Sequence, residues 1–175
     1  MKLKTVLTIA GSDSSGGAGI QADIKAITMN GVYASSVITA LTAQNTTGVY
    51  GIQETPADYI AAQMDAVFSD IFPDAVKIGM LPSPDAMKCV ASRLRQYKPA
   101  HIVLDPVMVS TSGHRLMDPE AEITLKEELF PLAELITPNI PEAEVLTGLL
   151  ITDDASMERA CYELYARFHC AILLK

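Results

Sequence analysis

The chain has 175 residues, of which 49% are hydrophobic and 19% charged, and its formal net charge is −8. That length suggests one domain able to bury roughly 70% of its unfolded surface, and the composition excludes a disordered chain. The negative charge argues against a nucleic-acid or anionic-membrane surface, which needs clustered Lys and Arg, although backbone N–H groups and a metal ion can still hold a phosphorylated ligand locally.

The first predicted element is a buried strand over residues 6–10. Its basic start, Met1-Lys-Leu-Lys4, imitates a signal peptide, but the apolar run is short and a Gly/Ser/Asp loop follows at once. No segment approaches the ~18 apolar residues of a membrane span, so a cytoplasmic protein is expected. Further strands are predicted at 36–40, 76–79, 102–105, 135–137 and 171–175. All are nearly continuous in Val, Ile, Leu and Ala, as strands covered on both faces are. Residues 41–54 interrupt the rhythm, with a turn at Thr46-Thr47-Gly48 and a short strand over 49–54 in a flap.

Helices are predicted between the strands from their caps. Thr55-Pro56, Ser83-Pro84 and Asp118-Pro119 each place a capping oxygen before a proline at the first helical position, where the missing N–H costs nothing. Apolar stripes follow at helical spacing: Ile60, Met64, Val67 and Phe68; then Met87, Val90, Ala91 and Leu94; and, from Thr152, Met157, Cys161, Leu164 and Phe168. These read as core contacts without a cofactor role. Cys89, Cys161 and Cys170 form no C-x-x-C pair or metal spacing and read as small buried hydrophobes. Strand–helix alternation predicts an α/β fold: one domain over 1–175, with a mostly parallel sheet and helices on both faces.

Ligands of open α/β sheets bind beyond the carboxyl ends of the strands. That rule selects the loop Gly11-Ser-Asp-Ser-Ser-Gly-Gly-Ala-Gly19, then Gln44-Asn45, Gly79-Met80, Asp105-Pro-Val-Met108, Thr137-Pro-Asn-Ile-Pro-Glu142 and Lys175. The glycine loop is no P-loop, because no Gly-Lys-Ser/Thr follows. Gly17-Ala-Gly19-Ile-Gln-Ala22 matches G-x-G-x-x-A, yet the next strand ends in Gln44 without the acid that would hold a dinucleotide's ribose. The remaining reading lets a small ligand sit on the loop's backbone amides, with Asp23 and Gln44 nearby. Asp105 and Glu142, at two strand ends, suit Mg²⁺, which takes one or two carboxylates and completes its octahedron with water and phosphate. Taken singly, each acid reads more readily as a helix cap or a solvated charge, and Lys175 as either a phosphate contact or an exposed strand end.

In combination, Thr8-Ile-Ala-Gly-Ser-Asp-Ser-Ser-Gly-Gly-Ala-Gly-Ile-Gln-Ala-Asp23, Thr42-Ala-Gln-Asn45, Lys77-Ile-Gly-Met-Leu81, Asp105-Pro-Val-Met108, Ser112-Gly113 and Thr137-Pro-Asn-Ile-Pro-Glu-Ala143 resemble the hydroxymethylpyrimidine/phosphomethylpyrimidine kinases of thiamine biosynthesis, members of the ribokinase-like superfamily. The resemblance covers the whole chain in order. It implies ATP-dependent phosphorylation of 4-amino-5-hydroxymethyl-2-methylpyrimidine and then of its monophosphate, with ATP and Mg²⁺ required, and a homodimer is expected. By analogy Gly11, Asp23, Gln44, Met80 and Val107 serve the pyrimidine, Gln44 reading its aminopyrimidine edge. Thr137, Asn139 and Lys175 serve the nucleotide, Asp105 and Glu142 the metal, and Lys175 also neutralises charge on the transferred phosphoryl group.

The family's strand ending in Lys continues into Gly-Gly-His, and a later Gly-Thr-Gly-Cys segment opens the helix that forms the anion hole. Neither occurs here, which implies the N-terminal portion of a longer kinase, and the 175-residue chain alone is expected to be inactive. The alternatives are a pyridoxal/pyridoxine kinase of the same fold and, in another class, a non-catalytic pyrimidine-binding fragment. Residues 110–113 are a candidate lid.

Overall fold

A computed structural model describes residues 3–108, 117 and 119–175. In chain order the elements are β1 (Thr5–Asp13), α1 (Gly19–Met29), β2 (Tyr33–Asn45), β3 (Gly48–Glu54), α2 (Ala57–Asp70), β4 (Ala75–Ile78), α3 (Pro84–Tyr97) and β5 (Ile102–Leu104). After them come α4 (Pro119–Thr124), a π-helical turn (Leu125–Leu129), a 3-10 turn (Phe130–Leu132), β6 (Leu135–Ile136), α5 (Ile140–Thr147), α6 (Asp154–Phe168) and β7 (Ala171–Ile172). The strands form one sheet in the order β3-β2-β1-β4-β5-β6-β7. Every neighbouring pair is parallel except β2–β3, the antiparallel flap. No helix among the described residues is long and apolar enough to cross a membrane.

The chain turns toward one sheet edge through α1 and toward the other through every later helix. Right-handed crossovers therefore put α1 on one face and α2, α3 and α6 on the other. The strands show the same division. Leu7 and Ile9 are fully buried in the main core, while Thr8 between them points the other way and donates to Asp23 on α1. Met87, Val90, Ala91 and Leu94 of α3 all lie in that core, as their spacing predicts. Each large member contributes roughly 1.5–3 kcal/mol of burial. Cys170 is buried, and Cys89 and Cys161 are half-buried.

The caps differ in detail from the sequence reading. Thr55 does not cap α2: its N–H pairs with Thr39 O and prolongs the ladder, and Pro56 takes the cap position without a side-chain bond. Ser83 occupies the cap of α3, with Pro84 behind it, but its hydroxyl makes no cap bond. Asp153, which the sequence reading did not name, caps α6 through a reciprocal pairing with Ser156. The proposed cap Asp118 and the motif Ser112-Gly113, with the candidate lid around it, fall outside the described residues.

Candidate active site

The strand ends bring the predicted residues to one rim, in two groups. In the first, β1 and β2 run on past the sheet with a register shift between Ala10 and Ser12, so the glycine loop begins as strand. Gly11 is where Met80 crosses: a Cβ there would lie 2.6 Å from Met80 Cε. Gly19 has φ +56, and a Cβ would meet Gly11 O at 2.2 Å, so only glycine closes the turn.

The loop amides of Asp13, Ser15, Gly16, Gly17 and Ala18 are already taken. Asp13, 3% exposed, accepts from the Ser15 N–H at 2.8 Å, the Gly17 N–H at 3.0 Å and the Ala18 N–H at 2.8 Å, and from the Ser15 hydroxyl at 2.8 Å. Gly16 N donates to Asp13 O, and Asp13 N donates to Gln21 Oε1. Burial alone would push the Asp13 carboxyl up, but its bonds with Ser15, Ala18 and Gly17 together outweigh it and hold the group below its ordinary value. The loop thus folds around its own anion, a finding at odds with the expectation of open amides. Sequence reasoning missed Asp13. The signal was an Asp followed two residues later by Ser, the spacing of an Asx turn.

Gln44, near the end of β2, is anchored by Ser14. The Ser14 hydroxyl donates to Gln44 O at 2.6 Å and accepts from Gln44 N at 2.8 Å. Thr42 Oγ1 lies 2.7 Å from Ser12 O and 3.3 Å from the Gln44 carboxamide. Asp23 is placed differently from the other substrate-side residues. It is held between α1 and the sheet by Thr8 Oγ1 at 2.6 Å and Lys77 Nζ at 2.9 Å.

The second group gathers beyond β5, β6 and β7. Lys175 Nζ donates to Asp105 Oδ1 at 2.7 Å, and Thr137 Oγ1 reaches the same oxygen at 3.2 Å. The Lys175 backbone continues the ladder, N–H to Pro138 O and C=O from Ile140 N–H, which seats the lysine beside the start of α5. Asn139 caps that helix, and Glu142 completes the capping box. Glu142 is 2% exposed and accepts from Met108 N at 3.1 Å and Asn139 N at 2.9 Å. Burial raises its pKa, against those two bonds, and the nearby Asp105 charge adds to the rise. Val107 is half-buried in the turn after β5, where its N–H donates to Asp105 O.

No cluster of three metal-binding side chains occurs among the described residues. Asp105 and Glu142 nevertheless fit Mg²⁺ in number, since that ion leaves most of its octahedron to water and phosphate. A cavity of about 500 Å³ lined by Ile123, Lys126, Glu127, Pro131, Arg167, Phe168 and His169 lies toward the opposite ends of the strands and collects none of the rim residues.

A mostly parallel sheet with this order, one antiparallel flap and a polar rim defines a ribokinase-like fold. Solved structures agree. A phosphomethylpyrimidine kinase from Clostridium difficile 630 superimposes with a TM-score of 0.92 at 49% identity, over 98% of this chain and 74% of that one. An ADP complex of Bacillus subtilis pyridoxal kinase superimposes with a TM-score of 0.88 at 35% identity, over 99% and 66%. The family signature described as phosphomethylpyrimidine kinase matches residues 13–175, and the chain belongs to that family. Among curated proteins it is 55% identical over 171 residues to the thiamine biosynthesis bifunctional protein ThiED of Geobacter sulfurreducens. That match covers 98% of this chain, which spans 35% of the relative's length.

Proposed function

We propose that the protein phosphorylates 4-amino-5-hydroxymethyl-2-methylpyrimidine, and then its monophosphate, at the expense of ATP. The observation that carries this reading is the convergence of Lys175 and Thr137 on Asp105 at one end of a rim whose other end presents Gln44. A cation and a carboxylate suit phosphate transfer, and an anchored carboxamide suits a heteroaromatic edge.

In this reading Gly11, Met80 and Val107 line the ring pocket and Gln44 reads the amino edge. Asp23, through Lys77, holds α1 on the sheet beneath that pocket. Thr137 and Asn139 face the nucleotide at the start of α5. Asp105 and Glu142 would hold Mg²⁺, which would supply charge neutralisation at the phosphate oxygens. Lys175 exchanges its Asp105 partner for the transferred phosphoryl group and stabilises the charge that grows there. In the first transfer the substrate hydroxyl oxygen forms the new bond to phosphorus as the bond to the departing ADP oxygen breaks, and the hydroxyl proton is lost to water; in the second, an oxygen of the monophosphate is the nucleophile. The cytoplasm, where ATP is available, suits this role.

The pyridoxal kinase superposition supports a second reading, with pyridoxal as acceptor. Phosphate transfer from labelled ATP by the full-length protein separates them. We expect the aminopyrimidine to have the higher kcat/KM, and a clear preference for pyridoxal overturns the proposal.

A further inference from the structure

The Gln44 carboxamide meets the Thr42 hydroxyl at 3.3 Å, through the atom assigned as Oε1. The same hydroxyl lies 2.7 Å from Ser12 O. A hydroxyl carries one proton, and a backbone carbonyl can only accept. The proton therefore belongs to the shorter Ser12 contact, and Thr42 turns a lone pair toward Gln44. Two acceptors do not hydrogen-bond, and an amide's O and N are told apart by such partners. A carboxamide turned to put its NH₂ toward Thr42 satisfies both contacts. Ser14 fixes the Gln44 backbone through both its N–H and its C=O, so rotation of the side chain is the freedom left to settle.

We infer that Thr42 is a positioning residue that sets the orientation of the Gln44 carboxamide, with Nε2 toward Thr42 and Oε1 free to accept from a ligand. The inference rests on the reading that Gln44 meets the pyrimidine edge. In this orientation Oε1 accepts from an exocyclic amino group, and the second Nε2 hydrogen donates to the ring nitrogen beside it. A 4-oxo analogue presents an acceptor and an N–H at those two places and is refused on both. Thr42 thus contributes to selectivity without touching the ring.

Titration calorimetry of the full-length protein with the aminopyrimidine and its 4-oxo analogue tests this. Thr42→Val is expected to lower the preference for the amino compound by about tenfold or more, the scale of one hydrogen bond, while Thr42→Ser keeps it. Should Thr42→Val fail to fold, a nuclear Overhauser contact between the Gln44 side-chain NH₂ and the Thr42 side chain is the expected signature in the wild type, and its absence overturns the inference. Unchanged selectivity in Thr42→Val, or equal weakening toward both compounds, also overturns it. If Gln44→Ala loses the aminopyrimidine while Thr42→Val keeps full selectivity, only the role of Thr42 fails. If Gln44→Ala binds like wild type, the pocket itself fails and the inference with it.

Discussion

The turn after β1 and the turn after β5 are each braced by a buried carboxylate, yet the two braces titrate in opposite directions. Asp13 gathers donors from Ser15, Gly17 and Ala18 and is held below its ordinary pKa. Glu142 gathers the backbone amides of Met108 and Asn139 and is raised, because two donors do not outweigh burial beside Asp105. The balance of donors against burial and neighbouring charge decides the sign. The first turn carries a fully satisfied internal anion and leaves a neutral, pre-shaped surface. The second combines a carboxylate whose pKa burial raises with an Asp105–Lys175 pair that is about half-exposed at the lysine. One end suits a ring, the other a polyphosphate.

The comparison breaks most completely at Gly19. Gly19→Ala drives a Cβ into Gly11 O and forces a non-glycine residue to φ +56. A loss of about 3 kcal/mol or more is expected in urea unfolding, even with Asp13 intact. Glu142→Ala strands the buried Met108 amide and the part-buried Asn139 amide and should cost about 2–4 kcal/mol in the same assay. Lys25→Ala removes only an exposed lysine's bond to Gly16 O and should change stability by a few tenths of a kcal/mol.

The pH dependence of Tm sharpens the contrast. Asp13, with a folded pKa below 3.8, stabilises fully above that value, and its contribution is lost as pH falls through the folded pKa. Glu142, with a folded pKa above 4.5, contributes fully below 4.5 and loses that contribution as pH rises through the higher folded value. Asp13→Asn should therefore flatten the acid limb of the Tm profile and Glu142→Gln the limb above pH 4.5. Thermal melts from pH 2 to 8 check both.

Much of this architecture is legible in the sequence because buried strands and helix stripes repeat the same apolar choice. The α3 stripe and the strands around Leu7, Val76 and Leu104 follow from burial alone. The extension of β1 to Asp13 does not, because it depends on β2 continuing alongside through a register shift. The π-helical turn over Leu125–Leu129 likewise has no local residue that announces it. Of the site, the rim position of every predicted residue except Asp23 is readable from strand ends. Which partners they take was not: Asp23 turned toward Lys77, and the loop amides toward Asp13, through contacts set by how α1 lies on the sheet.

The division of the rim is tested most directly by steady-state kinetics of Gln44→Ala and Lys175→Met in the full-length protein. The expected result is a split: Gln44→Ala raises the pyrimidine KM at least ~10-fold with kcat little changed, and Lys175→Met lowers kcat by ~10² or more with KM little changed. If both variants move the same parameter, or Lys175→Met leaves kcat intact, the two ends do not have separate tasks and the account is contradicted.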